Sequence, residues 1–153
     1  MKPTRTAHRE KEGLMYSERK LLIPSEATEQ RSLVKWLSYH PLVRDYFLKI
    51  DNEGKRTTIE KKGKIIPVGL FNAFKMGLKP GAADLFIFYP TKKYHGLFLE
   101  VKRSKKYTPS EMRTDTWIAQ QEFLNSVKSV GYAGEVCYGV EDGVSIVEAY
   151  LLA

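Results

Sequence analysis

The chain has 153 residues, 42% of them hydrophobic, which suits one domain with its own core and leaves little room for a second. Lysine and arginine number 25 against 18 acidic residues, and the formal charge of +7 favours polyanionic partners, nucleic acid ahead of an acidic membrane surface. No run approaches the roughly 18 apolar residues of a membrane span, the N-terminus is polar, and the single cysteine, Cys137, sits among Val136 and Tyr138 as a small hydrophobe; the expectation is a non-secreted protein, with no membrane partner, in a reducing cytoplasm.

Residues 1–22 carry Lys2, Arg5, Arg9, Lys11, Arg19 and Lys20 with few large apolar side chains and are expected to form a basic arm, with a single domain over 23–153. A helix is expected from Pro24-Ser25, with Ser25 as N-cap and Glu26 and Glu29 in the first turn, where the helix dipole favours negative charge. Leu33, Val34 and Leu37 form its apolar stripe, with Trp36 beside it, and Pro41 ends the pattern. Tyr46 to Ile50 reads as a strand running into the turn Asp51-Asn52-Glu53-Gly54. The basic stretch from Lys55 to Lys64 has no regular period and reads as irregular, while Gly69 to Met76 suits one or two helical turns.

Two apolar runs of strand length follow, Asp84 to Tyr89 and Gly96 to Lys102, joined by a polar connection. Together they read as a hairpin in the middle of a covered sheet. Thr108-Pro109-Ser110-Glu111 has the residues of a capped helix start, and that helix is expected to run to Gly131. Glu135 to Val140 reads as a last strand and Val144 to Leu151 as a final helix.

The charged residues inside these strands carry the functional signal. Glu-x-Lys alone means little in so basic a chain, because it occurs at Glu18/Lys20, Glu53/Lys55 and Glu60/Lys62 as well as at Glu100/Lys102. The first three lie in polar stretches, whereas Glu100 and Lys102 follow Leu97-Phe98-Leu99 in a strand. Strand period places both on one face, with Leu97, Leu99 and Val101 on the other. Two charges on a central strand need compensation, since unpaired burial is costly. Asp84 opens the preceding strand, and a hairpin brings it beside Glu100. Two carboxylates and the Val101 carbonyl make an oxygen-rich partial cage suited to Mg²⁺ or Mn²⁺. Lys102 is placed to orient an attacking water or to stabilise developing charge.

Two helical positions extend this set. Glu26 and Gln30 continue the stripe of Leu33 and Leu37 towards the first helix's N-terminus, so Glu26 is a candidate third carboxylate, with Glu29 its competitor. Gln120 precedes Phe123, Leu124, Val127 and Val130 on one helical face, with Gln121 as the neighbouring choice. Lys61, Lys62 and Lys64 form one basic cluster and Arg103, Lys105 and Lys106 another, the second better placed to hold phosphates. Tyr94, Tyr107 and Trp117 suit core packing better than base stacking.

The residues Gly81-Ala-Ala-Asp84-Leu-Phe, Gly96-Leu-Phe-Leu-Glu100-Val-Lys102-Arg, Gln120 and Gly131-Tyr132 resemble the virus-type replication-repair nuclease (VRR-NUC) branch of the PD-(D/E)xK nucleases. So do Ser25-Glu26-Ala-Thr-Glu-Gln30, Asn52-Glu53-Gly54-Lys55-Arg56, Cys137-Tyr-Gly139 and Tyr150-Leu151. The resemblance runs from Ser25 to the C-terminus. It implies an α/β fold with a restriction-endonuclease-like αβββαβ core, a central mixed sheet flanked by helices. It also implies a metal-dependent DNA endonuclease using Asp84, Glu100, Lys102, Glu26 and Gln120, selective in some relatives for branched, flap or junction DNA. A phage or bacterial source follows from where stand-alone members occur. Ala83 departs from the proline that many relatives carry before the aspartate, and the stretch from Lys102 to Gln120 is longer than usual. The competing readings are a nuclease fold that binds nucleic acid or a partner without cutting, and an RNA-cutting enzyme. Dimerisation suits a domain of this size on a symmetric substrate, though no seam is legible.

Overall fold

The structure is a computed structural model and describes residues 23–51, 58–61 and 64–153. The basic arm expected over 1–22 lies outside the described residues. Helix α1 spans Glu26–Tyr39, and its start follows the expected logic: Ser25 has extended backbone and its Oγ accepts from the Thr28 N–H at 3.2 Å. It stops at His40, whose extended conformation is the one favoured before Pro41. Glu29, Leu33 and Leu37, four residues apart, are its buried positions.

Strand β1 is Phe47–Lys49, followed by a two-stranded antiparallel ladder of β2, Thr58–Lys61, and β3, Lys64–Pro67. This hairpin corrects the expectation of irregular chain from Lys55 to Lys64: Ile59 pairs with Ile66 and Glu60 with Ile65, so its second strand carries the apolar residues that the basic first half lacks. Helix α2, Val68–Lys75, follows directly. Strands β4, Leu85–Ile87, and β5, Leu97–Lys102, form the expected antiparallel hairpin, with Leu85 opposite Leu99 and Ile87 opposite Leu97.

The Thr108 signal is real but reaches less far than expected. Thr108 and Glu111 make the reciprocal bonds of a capping box, the Thr108 N–H to Glu111 Oε2 at 2.8 Å and the Glu111 N–H to Thr108 Oγ1 at 3.3 Å. They hold one 3₁₀ turn, Glu111–Arg113. Thr114 then adopts extended backbone, its hydroxyl accepts from the Trp117 N–H, and it starts helix α3, Asp115–Lys128, as a second N-cap. Strand β6, Ala133–Tyr138, and helix α4, Val140–Leu151, complete the chain, each beginning earlier than the sequence suggested.

The main sheet has the order β1-β4-β5-β6, with β5 and β6 parallel and the other pairs antiparallel. A parallel pair needs a crossover, and α3 supplies it. On one face, Leu97, Leu99 and Val101 pack with Leu33 and Leu37 of α1 and Val147 and Tyr150 of α4. Leu33 is fully buried, and truncating it to alanine would cost about 2–5 kcal/mol. On the other face Phe98 stacks on Phe86 at 4.3 Å and meets Phe123 of α3 edge-on. That aromatic layer closes the α3 side up to Phe98, and the next two residues on the same face of β5 are Glu100 and Lys102. The expected αβββαβ order is the one observed, with the β2-β3-α2 segment inserted after its first strand. No helix among the described residues is long and apolar enough to cross a membrane.

Candidate active site

Glu100 and Lys102 are held in β5 by ladders on both sides up to Leu99 and by β6 beyond it. Asp84 stands one residue before β4, hence one step past the Leu85–Leu99 pair and across from Glu100. Its Oδ2 accepts from the Val101 N–H at 2.8 Å, replacing the ladder bond that β4 no longer supplies. The N–H and C=O of a strand residue point to the same edge, so the Val101 carbonyl faces the Asp84 side as well. The neighbouring parity confirms this arrangement, since the Gly96 and Lys102 carbonyls accept from Ala133 and Gly139 on the β6 side.

Glu100 is 1% exposed. Its Oε1 accepts from Lys102 Nζ at 2.6 Å and from Gln120 Nε2, while Oε2 is buried without a hydrogen-bond partner. Burial, then the Asp84 charge, push its carboxyl up to about 7 despite the opposing pull of Lys102. Desolvation acts to lower the Lys102 ammonium, but Glu100, Glu26 and Asp84 together hold it above its ordinary value. Its Nζ also lies over the Trp117 ring, 5.6 Å from the centroid. Glu26, exposed in the first turn of α1, is raised by partial burial and by Asp84 against Lys102 and Arg103.

Asp84, Glu100, Lys102, Glu26 and Gln120 therefore converge, and Gln120 rather than Gln121 reaches Glu100. The neighbouring Glu29 turns elsewhere, to the Ser104 hydroxyl and the Val140 N–H. The basic clusters fare differently. The Arg103 guanidinium donates to the carbonyls of Pro24 at 2.9 Å and Ile23 at 3.0 Å, where it clamps the approach to α1. Lys105 pairs with Glu111, whose carboxyl is lowered to about 2 by that bond and by Thr108. Both thus have protein partners, while Lys106 is exposed. Lys61 and Lys64 form the last backbone pair of the β2-β3 ladder; Lys62 and the side chains of the other two lie outside the described residues.

The donor set accommodates a divalent cation. A buried carboxylate oxygen lacks a hydrogen-bond partner, and Glu26, Asp84 and Glu100 bring three carboxylates against the Lys102 ammonium. Among the described residues, no group of three or more His, Cys, Asp or Glu is close enough together to hold a metal ion by itself. Asp84 and Glu100, with the Val101 carbonyl, are thus the residues that would hold it, and Glu26 acts on them through charge. A short protein-supplied set suits Mg²⁺, which keeps several waters.

The loop before Asp84 shows a residue whose role sequence reasoning missed. Gly81 has φ of 75°, and a Cβ there would fall 2.4 Å from the Ala119 backbone. The chain entering Asp84 thus crosses α3 directly beside Gln120, which fixes the two site elements against each other.

No family model matches the chain, and no curated protein is significantly similar to it. Among solved structures, a VRR_NUC domain protein superimposes with a TM-score of 0.62 at 22% identity, covering 84% of this chain and 89% of that one. The likeness establishes a shared α/β fold, a mixed four-stranded sheet with flanking helices.

Proposed function

We propose that the protein is a nuclease that hydrolyses DNA phosphodiester bonds with Mg²⁺ or Mn²⁺ bound at Asp84 and Glu100. The observation that carries the reading is Glu100: a carboxylate buried on a central strand, one oxygen held by Lys102 and Gln120 and the other without a partner, directly across from Asp84. A buried, under-satisfied anion is costly as a structural element alone, and it is intelligible as half of a cation site. The bound ion would supply activated water and charge neutralisation at the phosphate.

The chain's own residues have separable tasks. Gln120 and Lys102 fix the Glu100 rotamer through Oε1 and leave Oε2 without a hydrogen-bond partner. Asp84 is fixed by the Val101 N–H. Lys102 holds a proton on Nζ beside the carboxylates, where it can stabilise negative charge developing on a scissile phosphate. Likeness in fold to a VRR_NUC domain protein supports nuclease chemistry. It also motivates the finer parts of the reading: branched, flap or junction DNA as substrate, and replication or repair of a phage or bacterial genome as setting.

The test compares wild type with Glu100→Ala on labelled duplex, single-stranded, flap and four-way-junction DNA, in Mg²⁺, Mn²⁺ or chelator. Cleavage confined to wild type with metal is the expected result. Cleavage that persists in chelator, or equally in Glu100→Ala, overturns the site. Binding without cleavage on every substrate makes the protein a non-cutting binder on a nuclease fold.

A further inference from the structure

Three aromatic residues gather beside Lys102 from distant parts of the chain. Tyr138 is the register partner of Lys102 in the parallel β5-β6 pair, and partners in a ladder share a face, so it stands next to Lys102 on the α3 side. Tyr107, on the connection after β5, lies 5.8 Å from the Tyr138 ring and 5.2 Å from Trp117 of α3. Its hydroxyl accepts from the Arg103 N–H at 3.1 Å, which anchors the ring. Cations flank the row: Lys102 over Trp117, and Lys105 over Tyr107 at 4.6 Å.

From sequence, core packing suits Tyr107 and Trp117 better than base stacking. The structure leaves both half-buried and Tyr138 38% exposed, so the row reaches solvent beside Lys102. A ligand that offers both flat π-faces and negative charge matches aromatic rings interleaved with ammonium groups, and a nucleic acid strand has both. A duplex keeps its base faces stacked internally, so only an unpaired base can use such rings.

We propose that Tyr107, Trp117 and Tyr138 form a stacking platform for an unpaired nucleobase next to the scissile phosphate. This inference rests on the nuclease reading for its placement and assigns the residues that would hold an unpaired base at the cut. The platform holds the base while Lys102 and the carboxylates face the adjoining backbone.

The chain has two tryptophans, so a Trp36→Phe background leaves Trp117 as the reporter. In chelator, this protein is titrated with a short thymidine oligonucleotide and with a blunt hairpin duplex, reading tryptophan emission and the anisotropy of labelled DNA. The expected result is quenching by the single strand and not by the duplex, with single-strand affinity about tenfold lower in Tyr138→Leu, which keeps apolar volume but removes the ring. Equal quenching by both DNAs, binding without quenching, no binding of the single strand, or unchanged affinity in Tyr138→Leu overturns the platform. Metal-dependent cleavage measured on the same preparations separates the two readings. Cleavage without quenching removes the platform and keeps the nuclease; quenching with no cleavage of any substrate removes the nuclease and keeps base stacking.

Discussion

Glu29 on α1 accepts a hydrogen bond from the Val140 N–H, 111 residues further on, at 3.0 Å, and its other oxygen takes the Ser104 hydroxyl at 3.1 Å. The carboxylate is 4% exposed and both oxygens are engaged, so it braces α1 against the start of α4 and the connection leaving β5. Gly139, at φ 93°, lets the chain pass here; a Cβ would meet Ser104 Cβ at 2.8 Å. Glu26, on the same helix one turn earlier, faces Asp84 and Lys102 instead. Glu29→Ala should therefore destabilise the fold by about 1–3 kcal/mol in urea unfolding, because it leaves the half-buried Val140 N–H unpaired. Glu26→Ala should change stability by less than about 0.5 kcal/mol and lower cleavage. The opposite pattern would exchange their roles.

Asp84 combines two functions that one substitution separates. Asp84→Asn retains an oxygen that can accept from the Val101 N–H, so the unfolding midpoint without metal should stay within about 0.5 kcal/mol of wild type. It removes one charge from the proposed cation site. Mn²⁺ at about a hundred times its dissociation constant should raise wild-type stability by about 2.7 kcal/mol and the variant by much less. Equal stabilisation of both proteins would place the ion elsewhere.

The centre of this site was legible because apolar strands isolate it. Glu100 and Lys102 differ from the other Glu-x-Lys triplets in following Leu97-Phe98-Leu99, and that context put both on one strand face, away from Leu97, Leu99 and Val101, as the structure has them. Helical period alone could not choose Glu26 over Glu29, since both precede the same stripe, nor Gln120 over Gln121; the choice comes from which neighbour each side chain meets. The partners of Arg103 were not legible because they are non-local: it bonds carbonyls 79 and 80 residues earlier. Thr114 was overlooked as an N-cap because Thr108 offered a fuller pattern, although only Thr114 is followed by a sustained helix. The aromatic row was invisible for the same reason as the clamp, since the fold alone brings Tyr107, Trp117 and Tyr138 together.

Gly81 gives a test of how the fold sets the site. Gly81→Ala must accommodate both a left-handed backbone angle of 75° and a Cβ 2.4 Å from Ala119 C. Backbone cannot yield as a side-chain tip can, so either the Asp84 loop or α3 must shift. The expected cost is about 2–4 kcal/mol in urea unfolding, with cleavage falling further than the unfolded fraction explains because Gln120 moves relative to Glu100. Activity that tracks only the folded fraction would show that the site tolerates this displacement.

Tyr150 provides a pH test well away from the carboxylates. It is 5% exposed on the inner face of α4, its hydroxyl donates to the Tyr89 carbonyl, and burial pushes its phenol up to about 12. The ordinary value is near 10, so between about 10 and 12 the folded protein retains a proton that the unfolded chain has released. Stability must therefore fall as pH rises through this window, whereas below pH 10 the phenol is neutral in both states and contributes no slope. Tyr150→Phe loses the bond to Tyr89, which should cost about 1 kcal/mol at pH 7, but it has no proton to lose. Its stability should decline less steeply above pH 10, so the deficit relative to wild type narrows with rising pH. Urea unfolding at closely spaced pH values reads this difference directly and cancels the other tyrosines and lysines common to both proteins. Parallel curves from pH 7 to 12 would mean that the Tyr150 phenol ionises as readily in the folded state as in the unfolded chain.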